Sequence, residues 1–391
     1  MRSMAPAKSM KNEGPRVGLV MPLASQQGGA EALLRHLLRC RSGRFHLSCA
    51  FLQEGPLVEE ALSLGYEVSV IPTTHLTSLP NYLHTVWSLR RWVRQMELDA
   101  VLSWMTKAQL YVSPAIFGLP VRVAWYQHGL PINGALDRLA TRLPADGILC
   151  CSRSAQSFQD LMAPKRRTFV CYPGISLPPS DAPSPAQARQ RLQLPASTPL
   201  IGMVARLENW KGVNVLIDAA ELVFARYPEA IFYVVGGSHP LDPGYTTFLE
   251  QKILTLSRPS QFRLVGQRSM DETSLWQIAA DVIAHPVTGI EAFGMAVPEA
   301  MVRGKAVVAS NEGGPAEVIQ DNLNGVLVPK ENPQELARSL LALLDDPPRR
   351  KRLEAEAVIR GRVFSIPNFV RQLDETLAEL FGCAGNTTST P

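Results

Sequence analysis

The feature that most narrows the folding options is a run of short apolar segments, each followed by a stretch of helical periodicity, that occurs twice along the chain. In the first half the segments are residues 16–23, 46–52, 66–71, 100–104, 121–127, 147–151 and 168–172. After residue 199 the pattern restarts, with apolar segments at 200–204, 231–235, 262–265, 282–284 and 306–309 and a helical ending over 333–380. Strands that alternate with helices, and that are apolar on both sides, predict parallel sheets covered by helices on each face. Between the two halves, residues 176–199 hold six prolines, which reads as a linker. The expectation is an α/β chain of two Rossmann-like, doubly wound domains with a cleft between them. Ligands in such sheets bind beyond the carboxyl ends of the strands, where the strand order reverses.

The boundaries that follow are a flexible leader at 1–15, an N-terminal domain at 16–178, a linker at 179–199 and a C-terminal domain at 200–363. A final helix over 364–383 is expected to pack back on the N-terminal domain, before a flexible tail at 384–391. With 391 residues, 46% of them hydrophobic and 19% charged, the chain has enough apolar mass for two cores. No apolar run approaches the roughly 18 residues of a membrane-spanning helix. The six cysteines show no CxxC pair and no histidine at metal spacing, so they read as reduced thiols in a cytoplasmic protein. Charge is uneven: residues 1–180 hold 19 Lys and Arg against 11 Asp and Glu, and the remainder holds 20 against 24. A basic first half suits an anionic surface, and no nucleic-acid motif accompanies it.

Three clusters in the second half carry chemistry. Arg206 and Lys211-Gly212 follow an apolar strand and precede a helix, a place where two cations and a helix N-terminus suit a diphosphate. The glycine pair Gly236-Gly237 ends a strand without the spacing of a dinucleotide fingerprint. The segment from Glu291 to Glu299 places two carboxylates around Phe293, Gly294 and Met295, whose amides would be free at a helix start. Carboxylates accept several hydrogen bonds and so grip polyols.

Glu291 and Glu299, with seven residues between them and the later Gly313-Gly314 pair, resemble the EX7E signature of retaining GT-B glycosyltransferases of family GT4, the group 1 type. Arg206 and Lys211-Gly212 resemble that family's diphosphate clamp. Gly28-Gly29-Ala30-Glu31 resembles its glycine loop, and Gln127-His128-Gly129 its first-domain histidine. The likeness runs from about residue 17 to 345. Two departures affect loop geometry: Ala205 stands where a glycine often precedes the clamp arginine, and Tyr172-Pro-Gly-Ile175 follows the first domain.

The resemblance implies a hexosyltransferase that moves a sugar from a UDP- or GDP-sugar to an acceptor, with no cofactor and no metal. The acceptor class it suggests is a glycan or a lipid-linked intermediate of cell-surface polysaccharide biosynthesis. Within that frame, His128 and Glu291 stand at the reacting centre. Donor binding falls to Gly28, Gly29, Arg206, Lys211, Phe293, Gly294, Met295 and Glu299, with the backbone near Arg268 at the base. A basic-aromatic stretch over residues 82–96 is expected either to be core or to give peripheral contact with an anionic membrane. Rival readings are a sugar phosphorylase, a nucleotide-sugar epimerase, or a non-catalytic nucleotide-sugar-binding homologue.

Overall fold

The computed structural model describes residues 14–25, 28–40, 43–73, 78–131, 134–239 and 242–382. The tail at 384–391 and the leader, apart from residues 14 and 15, lie outside the described residues. The chain divides into two compact units: Met1–Cys151 with Ala155–Cys171 and Phe369–Pro391, and Ser152–Ser154 with Tyr172–Asn368.

The first unit holds seven strands: β1 (Arg16–Met21), β2 (His46–Phe51), β3 (Glu67–Val70), β4 (Ala100–Trp104), β5 (Arg122–Gln127), β6 (Gly147–Cys150) and β7 (Thr168–Val170). All pair in parallel, in the order β3-β2-β1-β4-β5-β6-β7. The order reverses at β1 and β4, so the loop carrying Gly28 and the end of β4 meet at a switch point. The second unit holds β8 (Leu200–Val204), β9 (Ile231–Val235), β10 (Phe262–Gly266), β11 (Val282–His285), β12 (Ala306–Ser310) and β13 (Val326–Val328). Its order, β10-β9-β8-β11-β12-β13, is also parallel and reverses at β8 and β11. Each apolar segment read from the sequence is a strand. The sequence pattern did not single out the three-residue β13.

The proline-rich stretch is not a free tether, because it carries helix Pro185–Arg191, opened by a Ser184 capping box. From this helix Arg189, only 7% exposed, reaches into the second unit. It donates to the carbonyls of Ala279 (3.0 Å), Ala196 (2.7 Å) and Thr198 (3.1 Å), and pairs with Asp281 at 2.7 Å. The same Asp281 oxygen accepts the Leu200 amide at 2.8 Å, which fixes the start of β8.

In the first unit, the basic-aromatic stretch forms helix Leu79–Gln95. Its inner face buries Thr85, Leu89, Trp92 and Val93, and the last three join Val20 and Val101 in the core. Its outer face leaves Leu79, Leu83 and Trp87 65%, 54% and 58% exposed, with Arg91 stacked on Trp87. The helix carries no acidic residue. From Phe369 onward, helix Ile366–Phe381 belongs to this unit: Phe369 stacks on Tyr126 and Glu379 pairs with Arg167. Among the described residues no helix is long and apolar enough to cross a membrane. The five described cysteines are free thiols, four of them buried.

Arg189 supplies the stability prediction. Arg189→Met keeps the apolar stem but takes a buried guanidinium away from four carbonyls and from Asp281, which keeps only the Leu200 amide and the more distant Arg350. Breaking a buried pair from one side costs about 3–5 kcal/mol. The urea midpoint of the variant should fall accordingly, with little change in slope.

Candidate active site

The strand ends of the second unit approach so closely that glycine is required at several positions. A Cβ on Gly212 would lie 1.8 Å from the Pro286 carbonyl oxygen, and one on Gly236 would lie 1.8 Å from that of Ala205. Gly314 packs on the Phe293 backbone, with 2.2 Å available to a Cβ, and donates its amide to the Glu291 carbonyl at 2.8 Å. Gly212 (φ 78°) and Gly294 (φ 79°) also sit in the left-handed region. These contacts press the loop after β8 against the loop after β11, at the switch point. The Thr288 amide, donating to the Trp210 carbonyl at 2.9 Å, joins the same two loops.

Within this frame Lys211 and Glu291 meet. Lys211 Nζ lies 2.5 Å from Glu291 Oε2 and 3.9 Å from the centre of the Trp210 ring. Both side chains are nearly covered, at 13% and 10% exposure. Burial alone pushes the Glu291 carboxyl up. His285 and the Lys211 charge more than offset this, bringing it down to about 2. His285, at the end of β11 and 2% exposed, has its Nε2 3.6 Å from the same oxygen.

Glu299 lies in helix Ala296–Val302, and its carboxyl is raised by burial, with the Arg303 charge opposing. Arg303 spends its own donors on the Glu299 carbonyl and the Ser274 hydroxyl. Among the described residues the amides of Phe293, Gly294 and Met295, just before this helix, meet no backbone acceptor. The Phe293 ring is buried between Tyr172 and Phe364.

Arg206, by contrast, is exposed and pairs with Glu208 at 3.0 Å, and Glu208 also faces His239 at 3.3 Å. Arg268 is exposed beyond β10 and stays outside the Lys211–Glu291 cluster; its guanidinium donates to the Gln267 carbonyl. The strand ends between Arg206 and Arg268 are tied together, Gly236 donating to the Gly266 carbonyl and Leu207 to that of Gly237. Sequence reading missed Glu208, Trp210 and His285. The first two lie inside the Arg206–Lys211 motif, and His285 ends a strand two residues before Val287, so proximity to the motifs was the available signal.

In the first unit, Gly28 and Gly29 open helix Gly29–Cys40. A Cβ on Gly28 would meet the Glu31 carboxylate at 2.3 Å. Trp104, also missed, connects this turn to His128: its indole donates to the Ala30 carbonyl at 3.0 Å and its ring lies 4.6 Å from the imidazole. Tyr126 flanks His128 at 4.2 Å. Burial lowers the His128 imidazole to about 3, so it is neutral at ordinary pH, and its Nε2 has no hydrogen-bond partner. Met105, directly after β4, holds a positive φ of 76°, a strained conformation at the switch point. Among the described residues no three His, Cys, Asp or Glu side chains converge on a common point.

Comparison with known proteins bears on the family and the fold. Residues 186–359 match the family described as glycosyl transferases group 1. The D-inositol 3-phosphate glycosyltransferase of Xylanimonas cellulosilytica is 36% identical over 206 residues, covering 51% of this chain and 48% of that protein. The enzyme of the same name from Corynebacterium glutamicum is 30% identical over 218 residues, covering 54% and 52%. The chain spans about half the length of the curated relatives it matches. Among solved structures, Anabaena Alr3699/HepE in complex with UDP and glucose gives a TM-score of 0.79 at 24% identity, covering 93% of this chain and all of that one. A glycosyltransferase from Rickettsia africae gives 0.80 at 18% identity, covering 94% and 98%. These likenesses show the fold: α/β, of the GT-B class, with two Rossmann-like domains.

The depressed Glu291 carboxyl predicts a pH effect. Its folded value lies below its ordinary one, so its stabilisation is complete above about pH 5 and is lost as pH falls toward about 2. Glu291→Gln should therefore flatten the acid limb of stability against pH, as followed by urea unfolding between pH 2 and 6.

Proposed function

We propose that this chain is a glycosyltransferase that moves a hexosyl group from a nucleoside-diphosphate sugar to an acceptor hydroxyl, with retention at the anomeric carbon. The carrying observation is the Lys211–Glu291 pair, held at the β8–β11 switch point beside the amides of residues 293–295. It lies within the segment that matches the glycosyltransferase family.

In this reading the leaving group is the nucleoside diphosphate. Lys211 and Arg206 neutralise it, so no metal ion is needed and turnover persists in EDTA. Glu299, in the EX7E pattern, accepts the ribose hydroxyls. Glu291 and the amides of Phe293, Gly294 and Met295 receive the transferred sugar. The backbone around Arg268 takes the base, and Gly28 and Gly29 offer main-chain amides to phosphate. The neutral His128 serves at the reacting centre by hydrogen bonding rather than as a cation. Neither glutamate is assigned as a covalent nucleophile; departure of the diphosphate and attack of the acceptor share one face of the sugar. UDP is the first nucleotide to test, because the Anabaena structures carry UDP and UDP-glucose, with GDP-sugars as the second choice.

Two acceptor classes have support. The curated relatives are named for D-inositol 3-phosphate. The exposed stripe Leu79-Leu83-Trp87, ending in the cation of Arg91 on a helix without acids, favours an acceptor borne on an anionic membrane. That second class places the enzyme on the cytoplasmic face of the membrane, in the synthesis of a cell-surface glycan.

Two measurements test these assignments. Arg206→Ala and Lys211→Ala should each lower kcat/KM for the nucleotide sugar by on the order of 10²–10³, as loss of a preorganised charge contact does. Full activity of the double variant, or sugar release that needs no acceptor, would refute the transfer site. Trp87→Ala with Arg91→Glu should abolish co-flotation with vesicles containing phosphatidylglycerol at low salt, while thermal stability is retained. If the unmodified protein does not float, the membrane-borne acceptor is wrong.

A further inference from the structure

The Lys211–Glu291 contact raises a question of charge balance that rests on the donor-site reading above. Lys211 is assigned to the donor diphosphate, yet its ammonium is also paired with Glu291. When the ammonium turns to phosphate, a nearly buried carboxylate is left without its cation, and uncompensated buried charge is among the most unfavourable arrangements in a protein. A second partner must then be within reach.

His285 meets the requirement. It ends β11, is 2% exposed, and its Nε2 has no hydrogen-bond partner. Buried side-chain nitrogens without a partner are uncommon, and the atom this one faces is Glu291 Oε2, at 3.6 Å. That separation exceeds a hydrogen bond by well under an ångström. The neighbouring wall is tight: a Cβ on Gly294 would stand 3.3 Å from Nε2 and 3.1 Å from Glu291 Cγ, which keeps the imidazole and the carboxylate side by side. Lys211 moves more freely, since its four-carbon stem carries a compact ammonium over the Trp210 ring.

We infer that His285 is the standby partner of Glu291, closing on the carboxylate as an Nε2–H donor when Lys211 transfers to the donor diphosphate. The exchange is one of hydrogen bonds only, with no bond made or broken. It makes His285 a positioning residue: it keeps Glu291 ionised and oriented for the sugar while the lysine is engaged elsewhere.

The inference has two readouts, one of which needs no ligand. With no nucleotide sugar added Lys211 stays on Glu291, so His285→Phe alone should cost only a modest part of urea stability, since the two groups share in holding the carboxyl down. In a Lys211→Met background the same substitution should cost far more, because Glu291 then has neither partner. Additive effects would overturn the inference. In the second arm UDP-glucose and GDP-mannose are titrated calorimetrically into otherwise unmodified protein. His285→Phe should weaken binding of whichever nucleotide sugar binds by about tenfold or more, the scale of one hydrogen bond to a charged group. His285→Gln, which returns an N–H at similar reach, should restore most of the loss. Unchanged affinity in His285→Phe would also overturn the handover, even if the stabilities couple. Arg206→Ala separates the two levels of argument: if it leaves nucleotide-sugar binding unaltered the donor-site reading falls, whereas loss there with normal binding in His285→Phe removes only the role of His285.

Discussion

A buried carboxylate held by one lysine is the constraint on which the second unit is organised. Glu291 is tolerated in its covered position because Lys211 meets it, and Lys211 arrives there because the loops after β8 and β11 are locked together. The locking is done by main chain. Gly212 lies against the Pro286 carbonyl and Gly314 against the Phe293 backbone, leaving no room for a side chain at either position. A parallel sheet that reverses its order at β8 and β11 opens its crevice at this point. Topology sets where the charges gather, and glycine packing sets how far apart they stand.

The two units divide the chemistry by character. In the second, the cluster is built on charge pairs: Lys211 with Glu291 and Arg206 with Glu208. In the first, the corresponding strand ends carry a neutral imidazole enclosed by Trp104 and Tyr126. Desolvation, with no nearby counter-charge, keeps His128 unprotonated. Such an imidazole acts as a neutral hydrogen-bonding group.

Much of the fold was legible in the sequence because strands buried on both faces must be apolar along their whole length. That signal gave twelve of the strands and did not single out Val326–Val328. The packing of the stretch over 179–199 was not legible, because prolines mark turns but say nothing about whether the turn is packed. Arg189, an ordinary cation in sequence, proves to be bonded to Ala279 and Asp281, about ninety residues away. The candidate site was legible as residue types, but its pairing was not. Arg206 and Lys211 look like one clamp, yet each takes a different carboxylate, Glu208 and Glu291. His285 was hidden because a histidine closing an apolar strand reads as part of the strand. The helix over 79–95 was ambiguous because apolar residues stand on two faces: the inner face is core, and the outer face is exposed.

The main-chain packing around Gly294 has an evolutionary consequence. The groups that would meet a sugar there are the amides of residues 293–295, and their placement is secured by the glycines packed behind them. The side chains on the open side, such as Thr288, Ile290 and Met295, are only partly covered or exposed. They can therefore be exchanged without disturbing the backbone behind them. A lineage built this way can change what lines this surface by small steps, each intermediate still folding.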